Sequence, residues 1–351
     1  MRWRAVGRLA GTRDSQRPVS PVQRCRCRWS RIFAVMGRCF ACTLLATNGR
    51  APYLCSMARH RTTPVPKLQV DTMELSVVRI HKTTSASSQP WVQARSVVHP
   101  DKYLSQCPFI LLNEEFYPPL SEFPIRSHDG VIAMTLVLEG GMTQTDGSGD
   151  SWRLEQGDSD FSTGRGGVLR AETSGEQGVR FLHLWVNMPP SLKPNVPQRQ
   201  IVRQADTQSA SFGNASALLY AGSLGAVSTP HRSPWPITIV DLSLQAEAQA
   251  TLPLASNERS FAYILNGTAE LGRNQVRLNR GSVAWTERTV TPGDVNSFKA
   301  RAMTDTRMLF ISSPVIGEHT SAVEDDAAEC AAPPARELMP IGGVRYDRSA
   351  R

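Results

Sequence analysis

The chain of 351 residues has no run of 18 apolar residues free of charge, which speaks against a membrane span. Cysteine is scarce where the chain can fold: of seven, only Cys107 and Cys330 lie beyond residue 67. Two widely spaced cysteines do not make a disulfide scaffold and fit a reducing compartment. Helical periodicity is missing too, since no window of 15 residues carries a convincing 3.6-residue repeat. Acidic residues are almost absent from residues 1–67, which hold 13 Arg, one Lys and one Asp, a net of +13. The whole chain carries only +8, so everything after that basic head is mildly acidic. The basic total therefore gives no argument for nucleic-acid binding by the folded part. Hydrophobic content of 40% and charge of 20% are ordinary for a globular protein, and 25 Gly with 24 Pro imply many turns.

The head is Arg-rich, poor in acid and dotted with Ser, Thr and Pro, the composition of an organelle transit peptide. Two alternatives stay open: an unstructured segment, or a translation start at Met57 or Met73. A secretory signal fits poorly, because Arg38 interrupts the apolar run from Ile32 to Ala46. Cys25-x-Cys27 and Cys39-x-x-Cys42 lack the second pair that a zinc site requires. The expected location is cytoplasmic or nuclear, or organellar if the head acts as a transit peptide.

From Glu74 onward, short β-type runs alternate with turn residues. Val131–Leu138 reads as a strand leading through Glu139-Gly140-Gly141 to another, then to a hairpin turn at Thr145–Asp150. Arg180–Asn187 reads as a strand ended by Met188-Pro189-Pro190. The order also repeats. Thr135–Gly140, Leu154–Gly157 and Arg180–Leu184 form one series; Ala262–Gly267, Leu278–Gly281 and Arg307–Ile311 form a second in the same order. This pattern predicts an all-β chain built from two homologous β-barrels.

Four blocks then carry a family resemblance. Phe123–Gly140 (FPIRSHDGVIAMTLVLEG) resembles the pirin signature FPxHPHRGFETVTYxLEG. Thr163–Glu172 (TGRGGVLRAE) is similar to TAGRGIVHSE, Phe181–Pro189 to FQLWVNLP, and Cys107–Phe116 to DPFLLLDEF. The likeness covers residues 74–318 and implies a bicupin, two cupin-type β-barrels in tandem. It implies an N-terminal cupin domain at 74–192, a linker at 193–213 and a C-terminal cupin-like domain at 214–318. The basic segment 1–67 and a flexible tail at 319–351 flank them.

Pirins hold Fe(II) with three His and one Glu. Carried over residue by residue, those positions are Arg126, His128, Arg170 and Glu172. Only His128 and Glu172 keep a ligand type, and a guanidinium has no lone pair for a metal. His183, where the family usually has Gln, is the one spare imidazole nearby in the motif map. His128, His183 and Glu172 would have the composition of a facial triad; a hydrogen-bonded strand histidine is the other reading of His183. The four motif positions also suit anion or phenolate binding, or acid–base chemistry with His128 as proton carrier. An ion-pair plug is the remaining reading of the same residues. The second half has no His between Pro234 and Pro314, so it cannot hold a cupin-type metal site.

Three functions follow as candidates: a cupin enzyme or binder with a lost or altered metal site, acting on a small aromatic or enolisable anion; an iron-dependent quercetinase-type dioxygenase; and a non-enzymatic transcriptional co-regulator. The expected partners are a small-molecule substrate and, for the last reading, a protein. The chain is expected to be a monomer, with no nucleic acid and no membrane.

Overall fold

In the computed structural model, residues 72–86, 92–128, 130–163, 168–193, 198–289 and 295–316 are described, without the side chains of 124–129 and 164–170. The basic head and the tail from residue 319 lie outside the described residues. The chain is all-β. Its strands begin with β1 (Met73–Glu74), β2 (Val77–Lys82), β3 (Thr84–Ser85), β4 (Gln93–Val98), β5 (Phe109–Tyr117) and β6 (Glu122–His128). They continue with β7 (Ile132–Asp146), β8 (Ser151–Glu155), β9 (Ser159–Thr163), β10 (Val168–Val186), β11 (Gln198–Val202) and β12 (Gln208–Phe212). The second half adds β13 (Ala215–Ala221), β14 (Ser223–Leu224), β15 (Val227–Ser228), β16 (Thr238–Leu244), β17 (Gln249–Ala255) and β18 (Glu258–Asn266). It ends with β19 (Thr268–Leu271), β20 (Val276–Asn279), β21 (Ser282–Thr286), β22 (Val295–Ala302) and β23 (Thr306–Pro314).

The first half is one nine-stranded sheet in the order β11-β9-β7-β10-β5-β4-β3, with β6 joined to β10 and β8 to β7. Two long strands make it double over. Gln144 on β7 donates to the hydroxyl of Thr135, nine residues earlier on the same strand, where a straight strand would hold them about 30 Å apart. The reversal falls at Gly140-Gly141, and on β10 the ladder with β7 breaks between Ser174 and Val179. Gly140 has φ +74°, and any Cβ there would be driven into the Gly178 carbonyl, so only glycine serves.

The second half packs a seven-stranded sheet, β12-β13-β16-β23-β18-β21-β2, on a five-stranded one containing β1, β17, β19, β20 and β22. Alternation along each strand turns Leu219, Val240, Leu242, Ala262, Ile264, Met308 and Phe310 inward onto Leu252, Phe298 and Ala300. The opposite face of the seven-stranded sheet, with Ile239, Phe261, Tyr263 and Ile311, meets Leu112, Met134, Leu136, Leu182 and Leu184 of the first half in one buried core. The two halves share a strand order: β9-β7-β10-β5-β4 corresponds to β21-β18-β23-β16-β13.

Four expectations need revision. The sheets do not close into barrels: the two sheets of the second half share no backbone pairing among the described residues, and side chains alone join them. The stretch 193–213 is not an irregular linker, because β11 pairs with the open edge of β9 and β12 with β13. Strands β1 and β2 precede the first half in sequence yet pair with β22 and β21 of the second, whose sheets have open edges there. Cys107, one of the two cysteines read as making no disulfide scaffold, is disulfide-bonded to a cysteine outside the described residues. Among the described residues no helix is long and apolar enough to cross a membrane.

Candidate functional site

The face of the first-half sheet turned away from the second half carries a polar row beside apolar neighbours such as Val137 and Phe181. Its strand register sets Ser96, Asn113, His183, Thr135 and Asp160 in one row across β4, β5, β10, β7 and β9. All five are buried, and Thr135, Asp160 and His183 are wholly inaccessible. Because β7 doubles over, a second layer faces this row. Glu172 on β10, Gln144 on β7 and Trp152 on β8 are cross-strand neighbours in it.

Gln144 connects the layers. Its Nε2 donates to Glu172 Oε1 at 3.1 Å and to Thr135 Oγ1 at 3.3 Å, while its Oε1 accepts from Trp152 Nε1 at 3.0 Å. The Tyr117 hydroxyl lies 2.9 Å from Glu115 Oε2 and 3.5 Å from Glu172 Oε2, so it can donate to either carboxylate. Asn113 Nδ2 donates to Glu115 Oε1 at 3.5 Å. The result is a hydrogen-bonded chain from Trp152 through Gln144, Glu172 and Tyr117 to Glu115. Burial of such groups is tolerated because they are hydrogen-bonded, and a low-dielectric surround strengthens each bond. Beyond Trp152, the Arg199 guanidinium stands 3.4 Å over the Trp152 ring and 3.7 Å from Asp146.

Of the residues singled out in the sequence, Glu172 is buried at the centre of this chain. The backbone of β6 and β10 sets Arg126 opposite Arg170, and His128 opposite Val168. The side chains of Arg126, His128 and Arg170 lie outside the described residues. His183 is buried in the polar row, and its Nε2 accepts the Trp185 indole N–H at 2.9 Å, so that lone pair is committed to a hydrogen bond. Sequence reading missed Asn113, Glu115, Tyr117, Thr135, Gln144, Trp152 and Asp160. The available signal was a single polar residue inside an apolar run, such as Thr135 in Ile132–Leu138.

A second polar cluster lies at the junction of the halves. Arg180 pairs with Glu114 at 2.5 Å and with Glu139 at 2.5 Å, and Tyr263 of the second half donates to Glu114. Burial alone would raise the Glu114 carboxyl. The Tyr263 hydroxyl and Arg180 outweigh that and hold it below the usual carboxylate range. Arg307 and Asp241 repeat the pairing in the second half, at 2.7 Å.

No family model matches the chain, but individual proteins do. It is 30% identical to pirin-like protein 2 of Arabidopsis thaliana over 158 residues, 45% of this chain and 49% of that one. It is 26% identical to Pirin-1 of the same plant over 213 residues, 60% of this chain and 73% of that one. The relatives it is similar to in sequence are thus pirins and pirin-like proteins. The match spans about half the length of the first of these pirins. In three dimensions the chain resembles GK1651 from Geobacillus kaustophilus, with a TM-score of 0.67 at 23% identity over 71% of this chain and 100% of that one. A quercetin 2,3-dioxygenase from Acinetobacter baumannii gives 0.63 at 20% identity, over 72% and 91%. At these identities the likeness is one of bicupin fold.

The iron that the pirin resemblance implies needs three imidazoles and a carboxylate. The donor set at the motif positions does not fit it, because two of the four are guanidiniums, which stay protonated and cationic. Two cations about 4 Å apart repel by about 4 kcal/mol at an effective dielectric near 20.

Proposed function

We propose that this pirin-like bicupin uses the interior of its first half, with a lost or altered metal site, to bind or act on a small aromatic or enolisable anion. The supporting observation is the buried chain Gln144–Glu172–Tyr117–Glu115, lying on the strands that set Arg126 opposite Arg170. In this reading Arg126 and Arg170 supply fixed positive charge for a carboxylate, phenolate or developing enolate. His128 moves the proton. Glu172, oriented by Gln144, positions the arginines through its own negative charge. Tyr117 can redirect its hydroxyl between Glu115 and Glu172 as the charge on the ligand changes.

The test joins metal content with ligand binding. Elemental analysis of purified protein should find far less than one iron per chain. Arg126→His combined with Arg170→His should raise it towards one, and Arg126→Met should lose binding of a catechol or phenolate probe that the unmodified protein retains. Near-equimolar iron in the unmodified protein, lost on His128→Ala or Glu172→Ala, would overturn the proposal and put an iron dioxygenase first. A protein with neither iron nor probe binding would leave the arginine cluster as an ion-pair plug.

A further inference from the structure

Strand β2 belongs to the second half by its pairing and touches the first half by its side chains. Its backbone is laddered to β21, with Arg79 opposite Trp285, Ile80 opposite Ala284 and His81 opposite Val283. Trp285 and Val283 lie in the buried core between the halves, whereas Ala284 faces the interior of the second half. Alternation therefore points Arg79 and His81 at the junction and leaves Val78 and Ile80 exposed on the other side. Just after Thr83 the chain crosses over, and β3 pairs with β4 of the first half.

Two side chains tie β2 to the first half near that crossing. The Arg79 guanidinium lies 4.5 Å over the Trp285 ring. It donates to the Ser105 hydroxyl at 2.9 Å and to the Ser105 carbonyl at 3.3 Å. His81 Nε2 lies 2.8 Å from the Val97 carbonyl of β4. A carbonyl only accepts, so Nε2 carries the proton of the neutral ring and any further proton goes to Nδ1. The His99 ring stands beside it, with centroids 5.7 Å apart. His99 is itself fixed, since the Gln106 side chain bonds both its backbone N–H and its carbonyl.

Among the described residues, no carboxylate pairs with Arg79, His81 or His99. The elements packed on His81 bring Val283 and Trp285 from β21, the Val97 carbonyl from β4, and Ser105 from the short helix that follows His99. Asp101, the acid next to His99 in sequence, is exposed and lies 3.8 Å from Lys102. Burial pushes the His81 imidazole below its ordinary range, and His99 and Arg79 push it the same way, against the pull of the Val97 carbonyl. The neutral pair of rings is tolerated; an added proton meets a fixed guanidinium and a second imidazole in a half-buried place.

We propose that Arg79, His81 and His99 form an acid-sensitive clasp, which holds β2 across the junction while both imidazoles are neutral and releases it when they are charged. His81 protonates near 6.5 in the released strand and only at lower pH in the clasped one. Release is therefore favoured as pH falls below about 6.5. It bares the edge of β21 and the Trp285 ring, and it is independent of the function proposed for the first-half interior.

Hydrogen exchange of the full chain is the test. Corrected for the intrinsic effect of pH, the opening of β2 and of its partner amides on β21 should rise about tenfold from about pH 7.5 to about pH 5, while β17 and β22 stay protected. His81→Gln can still donate to the Val97 carbonyl but takes up no proton, and it should abolish the rise relative to its own neutral value. Arg79→Met keeps an unbranched stem on Trp285 without the charge, and should move the His81 midpoint upward in imidazole NMR. Exchange of β2 that ignores pH, a rise that survives in His81→Gln, or loosening of all strands together would each overturn the proposal. If His81→Gln fails to fold, the NMR titration decides: a His81 midpoint unmoved by Arg79→Met overturns the clasp, and an upward shift supports it.

Discussion

The two halves place the same row of positions on equivalent strands and fill it with opposite chemistry. In the first half the row is Ser96, Asn113, His183, Thr135 and Asp160. In the second it is Leu219, Val240, Phe310, Ala262 and Ala284. The repeated segments make His183 the counterpart of Phe310 and Thr135 that of Ala262. What both halves keep is the pair at their junction, Glu114–Arg180 and Asp241–Arg307, also at matching positions. A duplicated fold has thus retained its junction while dividing its interiors. The apolar one gains hydrophobic burial along its whole depth; the polar one gains a buried hydrogen-bonded chain, with less apolar burial in exchange.

That division sets an order of expected effects. Phe310→Ala should be the most damaging, about 3–5 kcal/mol, because it removes a wholly buried ring stacked on Phe298. Gln144→Leu in the first half should cost less, about 1–3 kcal/mol. Denaturant unfolding of the two variants would measure the contrast, and equal losses would erase it. Next come the junction pairs: Glu114→Gln and Asp241→Asn should each cost about 2 kcal/mol, below the loss for a fully buried pair because both arginines keep some water contact. A much larger loss for Glu114→Gln would show that its bond to Tyr263 makes the two junction pairs unequal.

A further effect is a pH dependence. His231 titrates near 6.5 when unfolded and about 4 when folded. Between these values the unfolded chain binds more protons, so stability falls as pH drops from about 6.5 to about 4. His231→Phe should flatten that part of the stability profile relative to the unmodified chain; identical slopes would show that burial leaves the imidazole unperturbed.

Much of this architecture is legible in the sequence because it rests on local signals. Period-two runs give the strands, and the Leu-x-x-Gly repeat gives the duplication that the shared strand order supports. The family blocks lead to Glu172 and His183, both of which lie in the buried polar interior. What could not be read depends on long-range geometry. Gln144 looks like an exposed strand residue until the reversal at Gly140-Gly141 folds it over Thr135. Residues 198–212 look like linker because their pairing partners are edges that other strands leave open. Strands β1 and β2 give no local sign that they pair with strands near the far end of the chain.

That last arrangement has a consequence for synthesis. Val77 on β2 is bonded to Asn274, 197 residues later. At about 5–20 residues per second, the chain emerging from a ribosome must keep β2 without its partner for roughly 10–40 s. The first half can assemble in that interval, but the second cannot complete its sheet until β21 emerges and the leading strand is captured. A chain cut between the halves would separate β2 from the sheet it finishes, so the second half is a folding unit only when the start of the chain is supplied with it.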